Sequence, residues 1–284
     1  MLVAKKLISD QLSPAYGKEE IAGITRLIFE KVTGLSRLRV HLNQNETISA
    51  ANLAQIREIL NRLNRFEPIQ YILGETEFYG LIMRVTPAVL IPRPETEELV
   101  DWIIRDYQKQ TPCILDIGTG SGCIPVSLIS HMPGATAEGW EISSEALAVA
   151  KGNAVLNNVE VEFCLTDILN SDFPAVNKRY DLIVSNPPYV TTSEMPLMHR
   201  NVTEYEPHVA LFVPDTDPLI FYRTITDLAI TLLKPEGKIY FEINERFGKE
   251  TVQLLSEKGF RNVTLRNDIN GKVRMIRGER PSNV

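Results

Sequence analysis

Cys113-Ile114-Leu115-Asp116-Ile117-Gly118-Thr119-Gly120-Ser121-Gly122 runs from an apolar stretch straight into three alternating glycines. The pattern predicts a buried strand at Cys113–Leu115, a turn over Asp116–Gly122 and a helix over 122–131. A strand from Ala135 to Trp140 follows, with Glu141 at its end. Strand, glycine turn, helix, strand and acid in that order open a doubly wound α/β sheet. Spacing then narrows the ligand. The dinucleotide fingerprint would need glycine where this chain has Cys123, and no G-x-x-x-x-G-K-[ST] occurs. What remains is D-x-G-x-G-x-G with an acid about 20 residues on, as a ribose partner requires.

Glu141 can accept both ribose hydroxyls as a bidentate carboxylate. Asp167 follows the strand Val161–Leu165 and could bind an adenine amine; Asp116 could help place an amino-acid end. A nucleoside diol partner without a phosphate cradle describes a site for S-adenosylmethionine. The next apolar run, Tyr180–Val184, leads into Ser185-Asn186-Pro187-Pro188-Tyr189. Pro187 cannot donate to a ladder, and it holds Asn186 extended. An Asn side chain thus stands at the carboxyl end of a strand, where open α/β sheets bind ligands. Its side-chain carbonyl and the Asn186 and Pro187 main-chain carbonyls could accept both N–H bonds of a planar –NH2 group. Tyr189 offers an aromatic face. An amide or an exocyclic amine fits there, and beside the cofactor turn the reading is a methyltransferase.

The first ~65 residues read as helical. Ile21, Ile24, Ile28 and Val32 share a face, and Gly34 is placed to end that helix. A second helix starts near Ser49 and carries Leu53, Ile56, Leu60 and Leu63 on its apolar face. Glu77–Tyr79 and Leu81–Val85 around Gly80 predict a hairpin, and Ile91-Pro92-Arg93-Pro94 a rigid approach to the next helix. The expected organisation is a helical unit 1–67, a hairpin and linker 68–94, and a catalytic domain 95–284. Beyond the site, Val190–Asp217 is a long connection holding Tyr205-Glu206-Pro207-His208, a candidate substrate-side lip. A helix from about Pro218, a turn at Lys234–Gly237, a strand Lys238–Ile243 and a terminal hairpin about Asn270-Gly271 complete the pattern.

At 284 residues and 44% hydrophobic, the chain can bury more than one core. Its formal net charge of −6 gives no electrostatic reason to bind nucleic acid. The 3 cysteines, Cys113, Cys123 and Cys164, lack C-x-x-C spacing and read as reduced core residues. Neither a signal peptide nor an apolar run long enough to span a membrane is found, so a cytoplasmic protein without metal is expected.

The chain resembles the HemK/PrmC protein-glutamine methyltransferases over nearly its whole length. The resemblance rests on Pro68-Ile69-Gln70-Tyr71-Ile72-Leu73-Gly74, Ile91-Pro92-Arg93-Pro94-Glu95-Thr96-Glu97, the glycine turn 116–122, Asn186–Tyr189 and Tyr205-Glu206-Pro207. Asn-Pro-Pro-Tyr alone is shared with adenine methyltransferases; the Ile-Pro-Arg-Pro segment is more specific. The resemblance implies a Rossmann-like class I methyltransferase domain behind a small helical bundle. It implies that Gly118, Thr119, Gly120, Ser121, Gly122, Glu141, Asp167 or Ile168, and Asn186 contact S-adenosylmethionine. It further implies that Asn186, Pro187, Pro188 and Tyr189 hold a glutamine of class I peptide chain release factors. Where this chain has Glu141 the family often has Asp, and where it has Ile168 the family frequently has an aromatic residue. Two rivals remain, an adenine amino-methyltransferase acting on DNA or RNA and a non-catalytic binder of the cofactor.

Overall fold

The structure, a computed structural model, describes residues 1–43, 46–170 and 179–282, apart from the side chains of Arg37 and His41. Residues 171–178 and 283–284 of the expected catalytic domain lie outside the described residues. The chain divides into two compact units, Met1–Gly74 with His199–Tyr205, and Glu75–Met198 with Glu206–Val284.

The first unit holds α1 (Leu2–Leu12), α2 (Lys18–Thr33), α3 (Arg37–Leu42), α4 (Ala50–Leu63) and α5 (Ile69–Leu73). Ile21, Ile24 and Ile28 of α2 meet Ile56, Leu60 and Leu63 of α4 in one buried cluster. Glu19 and Glu20 sit in the first turn of α2, where the helix dipole favours negative charge, and Gly34 ends it at φ 66°. Ser49 caps α4, its hydroxyl accepting the Asn52 N–H at 3.1 Å. The short α5 was not separable from the hairpin and linker by pattern, since one helical turn leaves no periodicity to read.

The second unit opens with β1 (Glu75–Phe78) and β2 (Leu81–Arg84), an antiparallel hairpin turned at Tyr79-Gly80. Both turn residues have positive φ (49° and 76°), as a two-residue hairpin turn demands. Then come α6 (Pro94–Asp106), β3 (Cys113–Ile117), α7 (Cys123–His131), β4 (Thr136–Glu141), α8 (Ser144–Leu156), β5 (Glu162–Leu165) and β6 (Tyr180–Ser185). The expected long connection carries structure of its own. It leaves through β7 (Val190–Thr191), passes the short helix α9 (Arg200–Thr203), and returns through β8 (Phe212–Val213). Residues His199–Tyr205 count with the first unit, where the Tyr205 hydroxyl donates to the Arg65 main-chain oxygen at 2.7 Å. The anticipated lip is therefore divided between the units at Tyr205 and Glu206.

The chain ends with α10 (Ile220–Leu232), β9 (Leu233–Glu242), α11 (Gly248–Glu257), β10 (Arg261–Asn267) and β11 (Val273–Glu279). Seven strands form one sheet in the order β10-β11-β9-β6-β3-β4-β5. The five from β9 to β5 are parallel, and β11 and β10 close that edge antiparallel. Alternation along each strand sends neighbours to opposite faces. Ile114, Leu182 and Val184 join a cluster with α6 and α7; Leu115, Ile117 and Ile183 join another with α10 and α11. Strand order runs outward from β3 to β4 and β5 on one side and through β6 to β9 on the other. The carboxyl ends of β3 and β6 are thus the topological switch point, the expected ligand position.

The turn expected at Lys234–Gly237 is instead absorbed into β9 as an irregularity. Pairing jumps from Tyr180↔Leu233 to Leu182↔Lys238, with Glu236 at φ 63°. Flanking strand residues stay paired, so turn chemistry here makes a bulge. At the glycine turn, Gly122 has φ 76°, and a Cβ there would lie 3.0 Å from Ala150 Cβ and 3.2 Å from its Cα. Gly122→Ala is therefore expected to lose about 2–4 kcal/mol of stability through left-handed strain and crowding of α8. A shift in the urea midpoint at unchanged slope measures it.

Candidate active site

The turn after β3, the ends of β4 and β5, and the residues after β6 surround one cleft within the second unit. Gly118, Thr119, Gly120 and Ser121 form one wall, and a Cβ on Gly118 or Gly120 would meet nothing within 4 Å. The backbone is bare on that side, so a ligand can lie directly against it. Asn153, fully buried in α8, steadies this wall by donating to Ser121 O at 2.8 Å and Arg84 O at 3.0 Å. The Ser185 hydroxyl donates to Ile117 O at 2.6 Å and ties the ends of β6 and β3 together.

Glu141 ends β4 with its carboxylate turned onto the turn. Oε2 accepts the Gly120 N–H at 2.8 Å; Oε1 accepts the N–H groups of Ile142 at 2.9 Å and Ser143 at 3.0 Å. About four acceptor directions exist on a carboxylate, and three are already in use. The side chain that sequence reasoning reserved for ribose is thus also a structural pin for the glycine turn. Thr166, Asp167 and Ile168 form the adjoining wall, and Ile168 packs on the sheet's second apolar cluster while lining the cleft. The Asp167 carboxylate accepts from Leu169 N at 2.9 Å and Asn170 Nδ2 at 2.5 Å.

Asp116 is the unusual member. It is 0% exposed, and neither carboxylate oxygen has a hydrogen-bond partner. It does not itself line the cleft, though the next residues, Ile117 and Gly118, do. Burial pushes its carboxyl up to about 7, opposed by the nearby Thr119 hydroxyl and reinforced by the Glu141 charge. That hydroxyl lies close enough to moderate the charge, yet no hydrogen bond of good geometry joins the two. A buried carboxyl without a donor is costly, and a cationic ligand group beside it would relieve that cost. Bare glycines, a carboxylate at the second strand end and an orphaned acid together suit a nucleoside bearing an amino-acid chain.

Asn186, Pro187 and Pro188 line the same cleft; Tyr189 and Gly122 do not. Regular pairing of β6 stops at Ser185↔Phe241, so the Asn186 and Pro187 carbonyls lie past the ladder. Asn186 Nδ2 donates to Thr96 Oγ1 at 3.2 Å, which leaves Oδ1 as the end for the cleft. The Tyr189 ring packs on the second apolar cluster, and its hydroxyl donates to Glu242 Oε1 at 2.9 Å. Arg93 and Val209 also line the cleft. Glu206, 3% exposed, receives Arg93 Nη2 at 2.6 Å and the Ile91 N–H at 3.1 Å, fixing the Ile-Pro-Arg-Pro segment. Arg93, Glu206 and Val209 come from segments the sequence marked as linker or lip; only their motif context hinted at a place in the site.

Residues 4–74 match the PrmC N-terminal domain and residues 98–205 the Methyltransferase small domain. A release factor glutamine methyltransferase of Flavobacterium psychrophilum is 47% identical over 270 residues, covering 94% of each chain. Its counterpart from Bacteroides thetaiotaomicron is 43% identical over 96% of this chain and 98% of its own. The chain belongs to the release factor glutamine methyltransferase family. Membership makes it an enzyme, a methyltransferase, and the adenine-modifying rival is not favoured. Among solved structures, a Pyrococcus furiosus methyltransferase superposes with TM-score 0.53 at 17% identity, covering 72% of this chain and 91% of that one. The hMettl16 catalytic domain does so with TM-score 0.55 at 17% identity, covering 81% and 80%. At such identities the likeness concerns the fold alone, the class I methyltransferase sheet. Among the described residues no helix is long and apolar enough to cross a membrane, and no cluster of metal-ligating side chains occurs.

Proposed function

We propose that this methyltransferase transfers a methyl group from S-adenosyl-L-methionine to the side-chain amide nitrogen of the glutamine in the Gly-Gly-Gln motif of class I release factors. S-adenosyl-L-homocysteine would be released. The relatives' names supply the substrate class. The observation that carries the reading is Asn186, which presents an amide carbonyl to the cleft formed by the glycine turn and Glu141.

In this reading Gly118–Ser121, Glu141, Asp167, Ile168 and Asn186 bind the cofactor, Gly122 shaping the turn behind them, with Asp116 beneath its amino-acid end. Bound there, S-adenosylmethionine supplies an electrophilic methyl group. Asn186 Oδ1 accepts one N–H bond of the substrate amide, and a main-chain carbonyl of Asn186 or Pro187 accepts the other. That pairing matters because an amide nitrogen is a poor nucleophile, its lone pair delocalised into the carbonyl. Acceptors on both N–H bonds favour the positive charge that develops on nitrogen during transfer, and they fix its line of approach. The methylated nitrogen is acidic enough to lose its proton to solvent, so no general base is assigned. Pro188 and Tyr189 hold the loop's shape, and the helical unit 1–67 recognises the release factor as a cytoplasmic partner, joined through 68–94 to the catalytic domain 95–284.

The test is incubation with S-adenosylmethionine and a purified class I release factor, followed by mass measurement of the Gly-Gly-Gln peptide. The expected result is a gain of one methyl on that glutamine. Normal cofactor binding with no gain would remove release factors as the substrate and direct the search to nucleic acid and other amides.

A further inference from the structure

Glu242 ends β9 next to the carboxyl end of β6, and it is 1% exposed. A buried acid at a strand end, one strand away from Asn186, has no place in the cofactor or substrate contacts proposed above. Both of its carboxylate oxygens are nonetheless engaged. Oε1 accepts the Tyr189 hydroxyl at 2.9 Å and Oε2 the Thr96 hydroxyl at 2.6 Å. Thr96 Oγ1 in turn accepts Asn186 Nδ2 at 3.2 Å. Thr96 is 3% exposed in the first turn of α6, directly after the Ile-Pro-Arg-Pro segment. The four side chains thus form a single line, Tyr189–Glu242–Thr96–Asn186, assembled from three separate parts of the sequence.

The polarity of that line follows from what each group can do. When ionised, Glu242 can only accept, and both hydroxyls then point their hydrogens at it. The Thr96 hydroxyl, its one hydrogen used, can only accept from Asn186. Asn186 must therefore turn its –NH2 inward and its carbonyl toward the cleft. Burial pushes the Glu242 carboxyl up, while the two hydroxyl donors and the nearby Arg274 pull it back and Glu95 opposes them.

We propose that Glu242, acting through Thr96, is a positioning residue that sets which end of the Asn186 amide faces the substrate. The inference rests on the proposed role of Asn186 as acceptor for the glutamine amide. A reversed Asn186 would offer N–H groups to the N–H groups of the substrate and would repel what it should hold. Glu242→Gln permits that reversal chemically. Gln can donate from its own –NH2 to Thr96 Oγ1, which frees the Thr96 hydrogen for the Asn186 carbonyl and lets the amide turn around.

The experiment measures Glu242→Gln and, as a second variant, Thr96→Val, each alone and combined with Asn186→Ala. Expected for either single variant is a fall in kcat of about 10–100-fold, as for supporting partners that orient a reacting group, with cofactor affinity by calorimetry little changed. In the Asn186→Ala background neither should lower kcat further, because the residue through which they act is gone. A purely structural role would persist in that background. Unchanged kcat in both single variants, or full additivity with Asn186→Ala, overturns the proposal. A readout free of turnover is hydrogen exchange of the Asn186 side-chain –NH2 by NMR. It should be slower than that of exposed asparagines and accelerated by Thr96→Val; exchange as fast as at exposed sites overturns the placement. If the wild type methylates no glutamine, the substrate assignment falls, and the exchange measurement still decides the orientation.

Discussion

Asn186→Ala is expected to reduce turnover roughly 10²–10³-fold, the cost of removing one preorganised polar group from a reacting centre. The reasoning is geometric. Pro187 holds the residue extended and Thr96 holds its amide nitrogen at 3.2 Å, so Oδ1 waits in position before substrate arrives. Alanine keeps the backbone carbonyls and loses the side-chain acceptor, so one substrate N–H is left without its partner. The effect on cofactor affinity should be smaller than the effect on kcat. Single-turnover rates on a release factor, set beside calorimetry with the cofactor, separate the two. Near-normal single-turnover rates would remove Asn186 from the chemistry.

The second large effect has opposite signs in two measurements. Asp116→Asn should stabilise the protein without cofactor and weaken its grip on the cofactor. The carboxyl sits at about 7 in the fold against an ordinary 3.8, a difference on the order of 4 kcal/mol when ionised. The folded value lies above the unfolded one, so the fold binds the proton more tightly. No penalty exists below about pH 4; it grows as pH rises from there to about 7 and is then constant. Asn carries no charge to desolvate but still buries a polar group. The expected gain at pH 8 is therefore nearer ~2 kcal/mol, with none at pH 4. If the cofactor's ammonium lies above Asp116 as proposed, loss of the buried charge beneath it should cost about 1.5–3 kcal/mol of affinity. Denaturation at both pH values and calorimetry at pH 8 read the two effects. Equal stability across pH would mean that the Asp116 charge is already satisfied in the fold.

Much of the second unit's plan is legible because its signals are local. Gly118, Gly120 and Gly122 announce a turn, Glu141 follows at strand-end distance, and Asn186-Pro187 stops a strand with a polar side chain outward. What eludes a linear reading is partnership. Glu242 is one acid at the end of an apolar strand, and nothing nearby in sequence links it with Thr96 or Tyr189. Tyr189 reads as an aromatic platform, whereas its hydroxyl is spoken for by that acid. Glu141 reads as a ribose ligand, and its bond from the Gly120 N–H appears only when the glycine turn and the end of β4 are brought together. The division of 199–208 between units is likewise invisible in composition, since a helix turn that packs elsewhere looks like any loop.

The three main-chain bonds to Glu141 bear on selectivity among the nucleotides a cell contains. Free N–H groups in a glycine turn and at the start of α8 would make an attractive nest for the phosphates of ATP or NAD. Here the nest has been filled in advance by the chain's own negative charge. A triphosphate entering the cleft meets a carboxylate instead of open donors, whereas an adenosine without phosphates meets no such barrier. With the cofactor placed as proposed, the same side chain that shapes the turn would disfavour phosphate-bearing competitors by repulsion rather than by size.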